Sequence, residues 1–560
     1  MTRHEYEQWL EKDKAGEEIQ CFQIRQPSLG WRPFRLSDCR VNVLGEYELV
    51  SIQLPRSVVS HFKSIIQFVS LERNHSALRA NADILTCNYS DGQCIARQVS
   101  VIINGSESVI YSRDPAGNVS TYCGVYSYVG FSEPGGCGSV LFSQDNNKPI
   151  IGFHFSGYTE KLNSEGAAVP LWAEALELLC PSEMVSEQEV EVAATEGAQK
   201  LSGPHEFVGV VEKKRVPYQN AKSKIKKSSI SNRLVQQAVN IETVPCILSP
   251  TDPRWKPFLQ EGTPMTTGCE KHCKPVLDFP LENLAIVEND MKTKLLYHAK
   301  PVLTQVGKTS LNVAVCGVHE IASYPPIKMD TSTGWPWNVD YPKMKREDLL
   351  RPQRNEQGEM ISCDPHPIFL AKCEEREKNR ESGIRPDTVF WDHLKDERKL
   401  REKALKPGGT RIFSLSPIDF LVQYRQLNMD VDAAWHEAWL KLNHAVGISP
   451  DGPCWSKLAR MLLGKGTKLV CLDFSNFGPG LNSQVAAAME RINQAWYAQY
   501  QTKSGLEKDQ VQREVMIEEV CNANHLMGSY VYRTVCGIPS GHPGTTPLNT
   551  KCNQAYIKLA

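Results

Sequence analysis

The sequence predicts a multidomain chain, with a β-barrel or sandwich first, an α/β or α+β region second, and an acidic connection between them. Three observations carry this. Residues 1 to about 180 hold short β-type runs, YELVSIQL, ARQVSVII and KPIIGFHF, separated by Gly, Asn, Asp and Pro. Residues 181–204, PSEMVSEQEVEVAATEGAQKLSGP, are acidic, lack aromatics and offer little to bury, which is the composition of a linker. From about 207 onward, helical runs such as HEAWLKLNHA mix with strand-like runs such as TKLVCLDF.

The bulk numbers bound the function classes. A chain of 560 residues exceeds one core, and 41% hydrophobic with 23% charged residues is ordinary globular composition. A net charge of −1 excludes global basicity, so any nucleic-acid surface must be local. Eighteen cysteines without framework spacing fit a reducing compartment. No apolar run is long enough to span a bilayer, and MTRHEYEQWL has no signal-peptide pattern.

In the first region, EPGGCGSVLF (133–142) sets Cys137 among glycines. Glycine lets backbone N–H groups converge on one point without side-chain obstruction, while a nucleophilic thiol also needs a base. PIIGFHFSG follows, with His154 between Gly152 and Gly157. Gly-x-Cys-Gly followed by Gly-x-His-x-x-Gly resembles the chymotrypsin-like cysteine proteases of picorna-like RNA viruses. The resemblance implies Cys137 as nucleophile, with Gly135, Gly136 and Cys137 supplying the oxyanion-hole amides. It puts Ser132 and His154 in a pocket that reads glutamine, the acid at Glu48 (Glu46 second), and the base at His4, the one histidine upstream. No cofactor is implied for this chemistry. Only three residues precede His4, so the first barrel is expected to be truncated and the protease impaired, since a displacement of about 1 Å costs about a hundredfold in rate. Self-cleavage is expected in the linker, after Gln199 by preference and Gln188 second.

In the second region a basic tract, EKKRVPYQNAKSKIKK (212–227), precedes HLKDERKLREKALKPGGTRIFSLSPID (393–419). The latter reads either as an exposed helix with i,i+4 charge pairs or as a phosphate-binding cluster of Lys395, Arg398, Lys399, Lys403, Lys406 and Arg411. MDTSTGWPW (329–337) is a turn with two tryptophans, either packed or offered to a nucleic-acid strand. KLVCLDFSNFGPGLNS (468–483) reads as an apolar strand ending in Asp473, and a buried carboxylate there wants a cation. GIPSGHPGTTPLN (537–549) reads as a loop entering a helix that puts Thr545 and Asn549 on one face.

In this order the four segments resemble the fingers and palm motifs of viral RNA-dependent RNA polymerases, in a dicistrovirus- or iflavirus-like polyprotein. The resemblance implies nucleotide contacts from Lys395 and Arg411 foremost, then Arg398, Lys403, Ser540, Thr545 and Asn549, with Asp473 holding Mg2+ (or Mn2+). Gly478 stands where much of the family has an aspartate that checks the ribose. The implied partners are RNA template and primer, nucleoside triphosphates and the viral polyprotein as protease substrate, with no DNA and a membrane only indirectly. The implied location is host cytoplasm, in replication complexes. Domains are expected at 1–180 (chymotrypsin-like protease, first barrel truncated), 181–206 (linker with the cleavage junction) and 207–560 (fingers and partial palm of a right-hand polymerase). No Gly-Asp-Asp occurs, so motif C and the thumb are expected to be absent and neither activity complete. The alternative is a non-catalytic RNA-binding relic. Cys269, His272 and Cys273 have no second pair at zinc-finger spacing and read as a structural cluster.

Overall fold

In a computed structural model the chain forms two compact units, Met1–Pro27 with Trp31–Val185, and Ser28–Gly30 with Ser186–Ala560. The structure describes residues 6–7, 10–11, 22–26, 30–34, 36, 39–44, 49–54, 69–70, 81–90, 93–113, 119–130, 137–144, 150–160, 163–179, 188, 190–192, 205–226, 243–272 and 281–559, except 450, 467, 475–476 and 535. Among these residues no helix is long and apolar enough to cross a membrane.

In the first unit β1 (Phe22–Gln26) pairs with β2 (Gly30–Phe34), and β3 (Arg40–Leu44) runs antiparallel to β4 (Leu49–Gln53). Six further strands are β5 (Asn81–Ser90), β6 (Gln93–Arg113), β7 (Val119–Val129), β8 (Val140–Ser143), β9 (Ile150–Glu160) and β10 (Asn163–Pro170). They close into a barrel in the order β10-β7-β6-β5-β8-β9, so every one of them has two neighbours. Alternation decides which side chains fill it. Ala82 and Ile84, Val101 and Ile103, and Tyr126 and Tyr128 are each two apart, and they share one buried cluster with Leu141 and Ile151. The intervening positions Val125 and Ala167 pack in a second cluster with Leu49, Phe155 and Leu171.

The second unit is built on β11 (His205–Val210), β12 (Thr243–Pro245), β13 (Pro352–Arg354), β14 (Met360–Cys363), β15 (Val389–Leu394), β16 (Arg398–Leu400), β17 (Ile412–Leu415), β18 (Asn524–Met527) and β19 (Tyr530–Thr534). Five of them form one sheet, β11-β19-β18-β15-β17, while β12–β16 and β13–β14 are small ladders. Helices Leu281–His298, Ile418–Glu437, Ser483–Tyr500, Leu506–Cys521 and Thr545–Leu559 share a core that includes Leu295, Trp435, Met489, Trp496, Val520 and Cys552. Helix Pro367–Glu381 buries two arginines. Each is paired, Arg376 with Asp419 at 2.7 Å and Arg380 with Glu519 at 2.6 Å, which is the condition on which buried charge is tolerated.

Two expectations for this unit are corrected and one open alternative is decided. HEAWLKLNHA is helical only at its start. The helix ends at Glu437 and the chain then turns, with Asn443 in the left-handed region at φ 57°. KLVCLDF is not a buried strand: no strand forms over 468–474, and Leu469, Val470 and Leu472 are exposed. A strand exists through its neighbours' hydrogen bonds, and none of the described strands lies beside this run. Trp335 and Trp337 are buried, so their rings serve packing rather than stacking on a nucleic acid. Trp337 packs on Tyr341 and Phe369 and donates its indole N–H to Asp419.

Candidate functional site

The KDER run is strand, turn and strand rather than one helix. β15 carries the chain to Leu394, the turn 395–397 reverses it, and β16 pairs with β12. The Lys395 N–H donates to the Arg411 carbonyl at 2.9 Å, so the two residues foremost in the sequence are neighbours where β15 and β17 meet. Their organiser is a residue that a search for cations passes over, Glu397. Its carboxylate accepts from Arg411 Nε at 2.7 Å and from Arg411 Nη2, with Lys399 at 3.4 Å and Lys395 at 3.9 Å. The hydrogen bonds from Arg411 hold the Glu397 carboxyl below the usual range, helped by the charges of Arg411, Lys399 and Lys395. Fixed counter-charge pre-orients the cations, and an incoming phosphate must replace it.

The other basic residues divide. Arg398 is committed to structure, its guanidinium donating to the Thr243 carbonyl and to Thr243 Oγ1 at 3.2 Å. Lys399 donates to the Gly409 carbonyl at 2.8 Å. Lys403 and Lys406 are exposed on the short helix Arg401–Ala404 and the turn after it. The upstream basic tract joins them. Asp396 accepts from Ser223 Oγ and from the Lys224 N–H, both at 2.7 Å, which sets exposed Lys222, Lys224 and Lys226 beside the turn.

The Ser540–Gly541 loop docks on the edge of the same sheet. Ser540 Oγ accepts from the Ser414 N–H at 3.0 Å, Leu415 and Gly541 form a parallel bridge, and Ser416 Oγ donates to the Gly541 carbonyl at 3.0 Å. A Cβ at Gly541 would sit 2.0 Å from the Ser414 carbonyl oxygen, so only glycine permits this approach. The Thr545 hydroxyl, expected to meet a nucleotide, is engaged as a donor back into the loop, to the carbonyls of His542 and Pro539. Asn549 follows one turn later, and its Oδ1 is buried without a partner among the described residues. A donor from a ligand would relieve that cost.

A buried row supports the corner. Asp392 on β15 accepts from Ser414 Oγ at 2.6 Å and lies 3.0 Å from His525 Nδ1 on β18. Burial alone pushes the Asp392 pKa up, but the charge and hydrogen bond of His525, with Ser414, outweigh it and hold the carboxyl below its ordinary value. His272 faces His525 at 6.3 Å between ring centroids. Sequence patterning gives no signal of this pairing, because Asp392 and His525 lie 133 residues apart.

Asp473 stands in the exposed run 468–474. Among the described residues no group of three or more His, Cys, Asp or Glu side chains is arranged to hold a metal ion. One exposed carboxylate does not fit a two-metal centre, which needs ligands from at least two places. The run is tied to the Thr545–Leu559 helix through its aromatics: Phe474, Phe477 and Tyr556 meet at 5.2 to 6.4 Å between centroids. A Cβ at Gly478 would meet nothing within 4 Å, so space does not account for glycine there.

In the barrel unit, His4, Glu48, Ser132, Gly135 and Gly136 lie outside the described residues. Cys137 is half-buried, and its Sγ lies 3.2 Å from the Phe155 carbonyl. Gly138 adopts φ 82°, and its N–H donates to the His154 carbonyl at 2.8 Å, which fixes the cysteine turn against β9. His154 is 2% exposed, and burial lowers its pKa to about 4, so it is neutral at pH 7. Its Nδ1 meets the Tyr128 hydroxyl.

Comparison with known proteins now defines the class. Over 63% of its length, and 66% of the other chain, the protein shares its fold with the solved Sicinivirus 3Dpol RNA-dependent RNA polymerase, at a TM-score of 0.50 and 21% identity. The chain belongs to the viral RNA-dependent RNA polymerase family, whose profile matches residues 235–560. It is 32% identical over 530 residues to the genome polyprotein of Deformed wing virus, covering 91% of this chain and 17% of that one. It is 26% identical over 521 residues to the genome polyprotein of Ectropis obliqua picorna-like virus (91% and 16%) and 24% identical over 558 residues to the replicase polyprotein of Acute bee paralysis virus (94% and 28%). The chain therefore corresponds to a segment of a picorna-like viral polyprotein and spans about a sixth of the first two relatives.

Proposed function

We propose that the second unit binds nucleoside triphosphates and an RNA template and primer as the fingers side of an RNA-dependent RNA polymerase. The observation that carries this is the corner itself, where Lys395, Glu397 and Arg411 meet on strands whose edge holds Ser540 and Gly541. Triphosphate oxygens would take Arg411 and Lys395 from Glu397, while the Asn549 amide oxygen receives a hydroxyl donor. Asp473 offers one carboxylate toward magnesium or manganese, and no second one is grouped with it among the described residues. Photo-crosslinking the chain with an azido-substituted uridine triphosphate tests the reading. Label is expected on peptides spanning 395–411 or 540–549, and should fall about tenfold in Arg411→Ala. Label confined to other peptides would sink it.

We further propose that the barrel unit is a cysteine endopeptidase cleaving the polyprotein after glutamine, with Cys137 as nucleophile. What supports this is the glycine turn at Cys137 braced on β9, beside a neutral His154 suited to hydrogen-bond an uncharged side chain. His4, Glu48, the Gly135 and Gly136 amides and Ser132 keep the roles the resemblance gives them. Cys137→Ala is expected to abolish processing of a larger polyprotein segment that retains flanking sequence. Unchanged processing would refute the assignment. A host-cytoplasm location in replication complexes accompanies both proposals. No observation favours the alternative of a non-catalytic relic.

A further inference from the structure

Part of the acidic segment expected to be a linker belongs to the second unit and packs on it. The Gln188 N–H donates to the Arg385 carbonyl at 2.7 Å, and the Gln188 side-chain amide donates to Glu375 Oε1 at 3.2 Å. Val190 is 7% exposed, in a cluster with Val211, Trp335, Val389, Leu526 and Val531, and Val192 packs at its margin. Glu191 pairs with Arg215 at 2.8 Å. The Arg215 guanidinium in turn lies 4.9 Å over the Trp335 ring, and the Trp335 indole N–H donates to the Arg215 carbonyl at 3.1 Å. Residues 188, 190 and 192 thus face the unit while Glu191 faces outward, the alternation of a strand laid on a surface. Gln188, the second candidate for the cleaved residue, is engaged in this contact.

We propose that Gln188 and Val190–Val192 form a strap which the polymerase unit retains only while the chain is continuous, so that a cut between the strap and β11 opens the groove beneath it. The inference rests on the proposal that the polyprotein is processed in this segment. Its physical basis is effective concentration. One buried valine with a second at its margin, two hydrogen bonds and one exposed ion pair bind weakly between separate molecules, yet they hold when a short tether keeps the strap beside its groove. Cutting at Gln199 removes the tether and leaves the contacts unchanged. The strap then leaves, Val211, Trp335 and Val531 lose their cover, and Arg215 loses one of its two carboxylate partners, with Asp340 at 3.0 Å remaining. The occupant of the groove is therefore an extended acidic–apolar segment of this same chain, and its hold on the 329–337 tract depends on processing.

The test uses the full chain with a recognition site for an exogenous, site-specific protease placed within 193–200, so that failure of the chain's own protease does not affect it. Hydrogen exchange at 211, 335 and 337–339 is read before and after cutting. Cutting is expected to accelerate exchange there by about tenfold or more, with protection restored by millimolar synthetic peptide SEQEVEVA. Uncut Val190→Asp should already exchange at the cut rate. Glu191→Arg, at an exposed position that leaves folding intact, should lie between the two. Equal exchange before and after cutting overturns the proposal. So does acceleration that the peptide does not reverse, because the groove would then not be a site for this segment.

Discussion

The corner around Glu397 and the run Lys468–Phe474 carry the two chemical halves of the expected nucleotide site, cations in one and a carboxylate in the other, and the structure treats them oppositely. The corner is knitted into a five-stranded sheet, and Lys395, Lys399 and Arg411 share Glu397 as a partner. The run has an apolar sequence and a terminal aspartate, but it lies exposed and pairs with none of the described strands. Composition sets what a segment can bury, whereas neighbours set whether it does. A polar turn became the fixed part, and the more hydrophobic segment was left outside.

If the sheet edge holds the corner together, the largest effect comes from breaking that joint. Gly541→Val places methyl groups where the Ser414 carbonyl already leaves 2.0 Å to a Cβ. The loop must lift from β17, at a cost of about 1–3 kcal/mol as for other overpacked sites. Calorimetry should show a lowered Tm, with crosslinking at 540–549 lost. An unchanged Tm would mean that the loop and strand are not joined in this way.

Glu397→Ala sharpens the comparison by removing the counter-charge and keeping the cations. Arg411, Lys395 and Lys399 lose their shared carboxylate, so tripolyphosphate should bind several-fold tighter at low salt, with a steeper salt dependence. Weaker binding, measured by titration calorimetry, would show that Glu397 orders the site more than it competes for it.

Two buried carboxylates contribute to the pH response with opposite signs, beside Asp430 and Asp432, which burial pushes up, and His154, His444 and His542, which burial pushes down. Asp392 has a depressed pKa, so its contribution is present above the unfolded value of 3.8 and is lost as pH falls through the lower folded value. Burial pushes Glu490 up to about 7 against the opposing effects of Asn493, Arg513 and Lys551. With an ordinary value of 4.5, its folded form keeps a proton that the unfolded chain has released, so its own contribution to stability falls as pH rises from about 4.5 to about 7. The change is about 3 kcal/mol at most. Glu490→Gln should remove that contribution, so that in urea unfolding the variant gains stability relative to the parent as pH rises from about 4.5 to about 7, and should leave the loss below pH 4 intact. Asp392→Asn should do the reverse.

Legibility followed range. Strands of the first unit were readable because alternation is local: β4 falls within YELVSIQL, ARQVSVII falls within β6, and KPIIGFHF runs into β9. The Thr545–Leu559 helix and its glycine loop were readable for the same reason. Lys395 and Arg411 were found as cations, but Glu397 was passed over, although the same four-letter motif contains it. The Asp392–His525 pair and the Val190 contact with Trp335 and Val531 had no local signal, since a sheet of distant strands creates both. Burial of Trp335 and Trp337 was open in the sequence, because an aromatic turn packs or stacks with equal ease until its neighbours are known.

The smallest expected effect tests the other side of the comparison. Val470 is 85% exposed and Leu472 is 74% exposed, so Val470→Lys and Leu472→Lys remove almost no buried area. Each should alter the stability of this chain by less than about 0.5 kcal/mol in either direction, the range of surface substitutions. A loss of 2 kcal/mol or more in either variant would mean that the run is covered in solution, and that the contrast with the Glu397 corner does not hold. Phe474→Ala is the internal control. Phe474 touches Phe477 and Tyr556, so the same unfolding measurement should register it where it passes over the two lysines.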